Sequence, residues 1–375
     1  MTTLARVRAA IVPDSVLMAA ACLLSVGGLL IAHAIAMEET HRAFNADFVR
    51  QAIYLGVALL ALGVTSRTDY RVLRTLAPQL FVMVVAGLVL VLVIGSHQYG
   101  ARRWISLGPW ITIQPSEFAK IAVVIAGAAY AADRAATGRA ATVLLSLFAF
   151  VAALIVVEPD LGTAIVHGLA WFAIAAAWGV SWRYLGGLAV FALSLFPIAL
   201  AVAITGYQRE RIAVFLDPAR DPLGSGFTLR QMEVAFSAGG VTGRGFNGAS
   251  SALSGVAPRS SDFAFAQLGE LGGALITLAV IALFVLIAWR GYRAAASAPD
   301  EFGRILAVGL TTMIVLQAFI HIAVNMRLFP ATGIPLPFVS SGGSALVAVF
   351  TAIGIIESIA AHRAPGLRDR DRLTR

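Results

Sequence analysis

The sequence predicts an all-α integral membrane protein of about ten transmembrane helices, with one large extracytoplasmic loop between spans 7 and 8. Three observations carry that expectation. Hydrophobic residues fill 59% of the 375 positions and charged residues only 13%, where soluble domains give about a quarter to charge. Apolar runs of about 20 residues, long enough to cross hydrocarbon, recur along the whole chain. One long hydrophilic stretch, 205–264, interrupts them and has Asp262 as its last charged residue, an acid placed where water meets hydrocarbon. The chain 1–375 therefore reads as a single polytopic membrane domain, with 205–264 as an extracytoplasmic catalytic loop and 362–375 as a cytoplasmic basic tail.

The apolar runs fall at 15–36, 48–65, 76–95, 116–132, 141–157, 162–180, 184–204, 265–289, 303–326 and 341–361. Arg6 and Arg8 precede the first, which closes on Ala34-Ile35-Ala36 in the manner of a secretory signal. It is longer than an h-region of about 7–15 residues, so it is read as an uncleaved span. The fourth opens with Pro115, suited to a first helical turn, where a missing N–H costs nothing. The fifth and sixth are separated only by a tight turn at Glu158-Pro159-Asp160. In 205–264, Pro218, Pro222 and a series of glycines from Gly224 to Gly248 break any long helix. Thr228 to Phe236 has the pattern of a short amphipathic helix, and the remainder is expected to be irregular, as binding and catalytic loops are.

A net charge of +8 would suggest a nucleic-acid partner in a soluble protein. Here the excess of arginine in cytoplasmic segments accounts for it, and no basic stripe is interleaved with aromatics, so no nucleic acid is expected. Arg67, Arg71, Arg74, Arg134, Arg139, Arg290 and the tail arginines place both termini inside the cytoplasmic membrane. Arg102, Arg103 and the arginines of 205–264 then lie outside. They either reach lipid headgroups or meet an anionic substrate in the outer leaflet. Cys22 is the only cysteine, which excludes a disulfide framework, a thiolate metal site and a redox pair.

Three motifs carry chemistry. Glu117 and the sole lysine, Lys120, are i,i+3 neighbours on one helix face. Charges this deep in a span mark either a site or a buried ion pair. Arg102 and Arg103 just outside could together clamp a phosphate, since guanidinium matches it bidentately. Glu158 and Asp160 put two carboxylates at one turn, to bind a metal or a sugar, or for Asp160 to cap the sixth span. His167 and His321 are lone imidazoles inside spans, without the spacing of a metal cage. Phe329 to Ser344 holds three prolines and three glycines at membrane depth, an irregular backbone that forms either an anion seat or a structural kink.

In this order, Gly-Ala-Arg-Arg-Trp at 100–104, Gln-Pro-Ser-Glu-Phe-Ala-Lys at 114–120, Pro-Asp-Leu-Gly-Thr-Ala at 159–164, the Arg211 to Phe227 block, Asp262-Phe263 with Phe265, and Gly-Ile-Pro-Leu-Pro-Phe-Val-Ser at 333–340 resemble the SEDS family (shape, elongation, division and sporulation) of RodA, FtsW and SpoVE. RodA is the nearer likeness. The resemblance covers nearly the whole chain. It implies a peptidoglycan glycosyltransferase that polymerises lipid II, with partners in a class B penicillin-binding protein transpeptidase, the elongasome or divisome, and membrane lipid. It implies Asp262 as the essential acid, the general base of an inverting transfer, with Arg102, Arg103, Glu117, Lys120, Asp160, Arg211 and Ser340 as substrate-binding positions. Charge on the departing pyrophosphate would be met by Arg103, Lys120, Arg211 or a divalent cation, Mg2+ or Mn2+. The chain departs from the family pattern at Arg259-Ser260-Ser261, where Glu-His-Thr is usual, at Leu271 for Glu, at Ser341 for Tyr and at Glu158 for Gln. Broken helices and intramembrane charges would also suit a flippase for a lipid-linked precursor, and a non-catalytic scaffold of the same machinery is the other alternative.

Overall fold

The computed structural model describes residues 14–98, 101–108, 111–202, 206–247, 251–256 and 259–362. Arg6 and Arg8 lie outside them, as does the basic tail beyond His362. In chain order the elements are α1 (Ser15–Thr40), α2 (Ala46–Arg67), α3 (Arg71–Ile94), β1 (Ser96–Gln98), β2 (Ala101–Ser106), β3 (Thr112–Ile113), α4 (Pro115–Ala132), α5 (Gly138–Val157), α6 (Leu161–Trp178) and α7 (Trp182–Val202). They continue with α8 (Gly206–Leu216), a 3-10 turn (Pro218–Arg220), α9 (Ser225–Gly239), α10 (Arg259–Asp262), α11 (Ala264–Ala296), α12 (Glu301–Asn325) and α13 (Gly343–Ala361).

Each apolar run has become one long helix, and most begin on a residue whose side chain satisfies the orphan N–H groups of the first turn. Asp14 accepts from Val16 and Leu17, Asn45 from Phe48, Thr137 from Ala140, Asp160 from Thr163 and Asp300 from Gly303. Among the described residues eight helices are long and apolar enough to span a membrane. The chain is a multi-pass, all-α membrane protein. α4 is not one of the eight, because Glu117 and Lys120 sit in its first turns. It is nonetheless buried over most of its length, packed between α3, α6 and α12. Of the eight, α12 and α13 are the most enclosed, while α2 and α3 turn the larger share of their surface outward.

Hydrogen bonds distinguish the two ends of the bundle. At one, the Asp14 carboxylate pairs with Arg290, its N–H donates to Glu357 across 2.6 Å, and Tyr70 donates to Asp300 across 2.5 Å. Arg74 pairs with Asp133 at the same end, and the Trp178 indole donates to the Arg134 carbonyl. At the other end meet the α1–α2, α3–α4, α5–α6, α7–α11 and α12–α13 connections, and the last four of these, with the facing ends of α1 and α2, line one cavity.

The long connection departs from the irregular loop expected of it. Its middle is helical: α9 extends beyond Thr228–Phe236 at both ends, and α8 precedes it. The cause is a second small core. Val214 of α8, Leu229, Met232 and Ala235 of α9, Leu253, Val256 and Phe263 close on Ala266 of α11, so an apolar centre seats these helices on the bundle. Behind it, Glu270 of α11 pairs with Arg244 at 3.0 Å and accepts the Ser251 hydroxyl at 2.6 Å and the Ala252 N–H at 2.7 Å. Gly243 has φ +81°, and a Cβ there would lie 2.2 Å from the Leu271 carbonyl oxygen. Only glycine fits that approach. The α3–α4 connection holds a three-stranded antiparallel sheet in the order β1-β2-β3, an element the apolar pattern gave no sign of.

Candidate active site

The cavity where the five connections converge has a volume of about 1290 Å³. Asp262, Arg211, Arg103, Asp160 and Glu117 all line it, brought together from α10, α8, β2, the α5–α6 turn and α4.

Asp262 ends α10, a helix of four residues. So short a helix makes almost none of its own hydrogen bonds, and its last carbonyls need partners from elsewhere. Three consecutive ones find them. The Ser260 carbonyl accepts the Ser341 N–H at 3.0 Å, the Ser261 carbonyl the Ser340 hydroxyl at 2.6 Å, and the Asp262 carbonyl the Asn325 carboxamide at 3.0 Å. The carboxyl is half-buried in the cavity wall. Burial raises its pKa above the ordinary 3.8, against the opposing pull of the Ser261 hydrogen bond, Arg211 and Arg103, while Asp160 adds to the rise. Gly333, at φ +73°, faces this group. A Cβ there would be 3.5 Å from Asp262 Oδ2 and 3.6 Å from Arg211 Nη1, so the acid and the guanidinium approach the same point.

Arg211 donates to the Ala331 carbonyl at 3.0 Å, which ties α8 to the α12–α13 connection. Arg103 is tied to the α5–α6 turn: its Nε donates to the Glu158 carbonyl at 2.8 Å and its Nη2 to that of Pro159. Asp160 caps α6, accepting the Thr163 N–H at 3.1 Å, and it also lines the cavity. Glu158 is fully buried, and neither carboxylate oxygen has a hydrogen-bond partner among the described residues. Desolvation, with Asp160 nearby, lifts its pKa to about 8 in spite of Arg103.

Three expectations change. Arg102 and Arg103 do not form a joint clamp: they are successive residues of β2, whose side chains point to opposite faces, and only Arg103 lines the cavity. Lys120 does not reach the cavity surface. Its Nζ is 2.8 Å from Glu117 Oε2 and donates to Gln317 Oε1 at 2.6 Å, while the Gln317 amide donates to the Pro335 carbonyl at 2.9 Å. Lys120 thus braces the cavity wall, and only its partner Glu117 touches the chamber. Ser340 also lies outside the lining. Its hydroxyl donates to the Ser261 carbonyl and accepts the Leu336 N–H, which fastens the α12–α13 connection to α10.

Sequence reasoning missed Asn325 and Gln317. Both lie on α12 in an apolar span, and with His321 they recur every fourth residue, a polar stripe on one helix face that periodicity does reveal. His321 Nδ1 bonds the Ile334 carbonyl at 2.9 Å, so the stripe holds the α12–α13 connection at Ile334 and Pro335 and α10 at Asp262. Among the described residues no group of three or more His, Cys, Asp or Glu side chains is placed to hold a metal ion.

Fold and site together define a polytopic membrane protein that presents carboxylates, Asp262, Asp160 and Glu117 among them, beside the Arg211 and Arg103 guanidinium groups in a chamber at the end of its bundle. The FtsW, RodA and SpoVE model, described as cell cycle protein, matches residues 14–364, and the chain belongs to that family. It is 36% identical over 312 residues to the peptidoglycan glycosyltransferase MrdB of Escherichia coli K12, covering 82% of this chain and 84% of that one. It is 32% identical over 358 residues to a probable peptidoglycan glycosyltransferase FtsW of Geobacter metallireducens, covering 92% and 94%. Among solved structures, a chain from a peptidoglycan synthase complex that coordinates polymerization and crosslinking superposes with a TM-score of 0.79 at 28% identity, covering 95% of this chain and 99% of that one.

Proposed function

We propose that this chain polymerises lipid II at the outer face of the bacterial cytoplasmic membrane, by inverting glycosyl transfer with Asp262 as general base. The chain is a peptidoglycan glycosyltransferase, the activity carried in the names of its relatives. The observation that carries the residue-level reading is the half-buried Asp262 carboxyl facing Arg211 across Gly333 in a chamber at one end of the bundle. Asp262 takes the proton of the acceptor sugar hydroxyl as its oxygen attacks the anomeric carbon of the donor. The bond from that carbon to the lipid pyrophosphate breaks, and the pyrophosphate leaves with the electron pair. Pyrophosphate needs its charge met more than it needs a proton, and Arg211 and Arg103 supply fixed positive charge for it.

A divalent cation enters this reading with the substrate. Mg2+ keeps several waters and is held by one or two carboxylates together with substrate phosphates, and Asp160 and Asp262 on the chamber wall are carboxylates of that kind. Bound there, the ion would neutralise charge on the pyrophosphate. Both termini lie on the cytoplasmic side, which puts the chamber outside. A class B penicillin-binding protein transpeptidase is the proposed partner, supported by the relative solved within a complex of polymerization and crosslinking.

The test is purified protein with labelled lipid II. Polymer forms with the native chain and is lost in Asp262→Ala. Polymer formed equally well by that variant overturns Asp262 as the base, and translocation across liposomes without polymer marks a transporter instead.

A further inference from the structure

Asn325 stands at the outer end of α12, 1% exposed, and does not line the cavity. All the hydrogen bonds of its side chain go to backbone. Its Nδ2 donates to the Asp262 carbonyl at 3.0 Å and to the His321 carbonyl at 2.9 Å, and its Oδ1 accepts the Ala266 N–H at 3.0 Å. The first bond takes the last carbonyl of α10, and the third takes one of the orphan N–H groups in the first turn of α11. The N-cap position of α11 is Phe263, which has no side-chain oxygen, so that first turn relies on a cap from another helix. One carboxamide therefore spans the single-residue elbow between the two helices, and the elbow fixes where the Asp262 side chain points.

We propose that Asn325 is the positioning residue of the acid: it sets the angle between α10 and α11 and, through it, the reach of the Asp262 carboxylate into the chamber. The proposal rests on the reading of Asp262 as general base. Ser340 and Ser341 hold the Ser261 and Ser260 carbonyls of α10, and neither bond reaches the start of α11. Among the described residues only Asn325 joins both sides of the elbow by hydrogen bonds, and the His321 carbonyl ties its amide to the α12 backbone.

Asn325→Asp separates positioning from capping, because it keeps the shape and the acceptor for the Ala266 N–H, while a carboxyl buried there is taken up neutral and offers one O–H where the amide offers two N–H donors. A residue that merely caps α11 would tolerate that change. With the full-length protein and labelled lipid II, the expected result for Asn325→Asp is a kcat lower by about ten- to hundredfold with KM within about twofold. Thermal unfolding in detergent should stay within a few degrees of the native protein. Asn325→Ala, which removes both functions, should fall at least as far in kcat. A native kcat in Asn325→Asp overturns the proposal, as does a loss that lies wholly in KM, or a loss shared by both variants only because neither remains folded and monodisperse. If Asp262→Ala itself retains polymerisation, the general-base reading has failed. If Asp262→Ala is inactive while Asn325→Asp turns over normally, the positioning role alone has failed.

Discussion

Ser341 donates its hydroxyl to Ser260 Oγ across 2.6 Å and its N–H to the Ser260 carbonyl across 3.0 Å. These are two of the positions where the sequence departs from the pattern of its family, and they touch. Two small hydroxyls close this contact between α10 and the α12–α13 connection. Replacing either serine by alanine should therefore lower thermal stability slightly, and the two changes should not add. A double-mutant cycle on unfolding should give a coupling of about 0.5–1.5 kcal/mol, and strict additivity would show that the contact does nothing.

The Glu117 and Lys120 pair, 2% and 4% exposed, is a brace. Removing one partner strands a buried charge and costs about 3–5 kcal/mol. Lys120→Ala should lose both folded protein and polymerisation, because Gln317 then loses the donor that holds it under Pro335. Glu117→Gln combined with Lys120→Met leaves no unpaired charge and should retain more folded protein than Lys120→Ala, measured as monodisperse yield. The opposite order would refute the brace.

Glu158 is neutral in the folded protein, its pKa raised from 4.5 to about 8, whereas the unfolded chain releases that proton near the ordinary value. Between these values the unfolded state binds fewer protons, so stability falls as pH rises through the window from 4.5 to about 8. Glu158→Gln removes the titration. Thermal midpoints measured across that window should decline less with pH in the variant, which should be the more stable form at pH 8 by about 1–3 kcal/mol. Parallel slopes for both proteins would contradict a buried neutral carboxyl.

A general base works deprotonated, so a raised Asp262 pKa moves the acid limb of the pH–rate profile upward. Arg211 opposes that rise. Arg211→Ala should shift the acid limb of kcat/KM for lipid II to higher pH, whatever it does to the maximum rate. A shift to lower pH would rule out the electrostatic pairing across Gly333.

Gly243→Ala meets the Leu271 carbonyl and an unfavourable φ at once. The segment carrying Arg244 should lift from Glu270, and trypsin should cleave after Arg244 faster than in the native protein. Unchanged cleavage would mean that the α9–α11 connection can absorb a methyl group.

The membrane scaffold was legible because hydrocarbon imposes length and apolarity on every span, and each apolar run became one helix. Outside the bilayer only α9 showed, through the amphipathic pattern of Thr228 to Phe236. α8 draws its stability from a small core that joins Val214 to residues as far along the chain as Phe263 and Ala266, and no local period announces that. Asp262, Arg103, Asp160 and Glu117 were legible as chemistry from residue type and position, and Arg211 through the family resemblance; all five converge on one chamber. What the sequence hid was the division between lining and fastening. Lys120, Ser340 and Arg102 share motifs with lining residues, yet strand alternation and the direction of single hydrogen bonds keep them away from the chamber.

The suspension of α10 also constrains how the protein is made. The serine that holds the Ser261 carbonyl lies 79 residues further along the chain, beyond two more membrane helices. While α11 and α12 are being threaded into the bilayer, the acid is present but has no fixed place. A nascent or truncated chain that ends before Ser340 carries every charged group of the chamber and still lacks an assembled centre, so the cell receives a working polymerase only once nearly the whole polypeptide has been inserted.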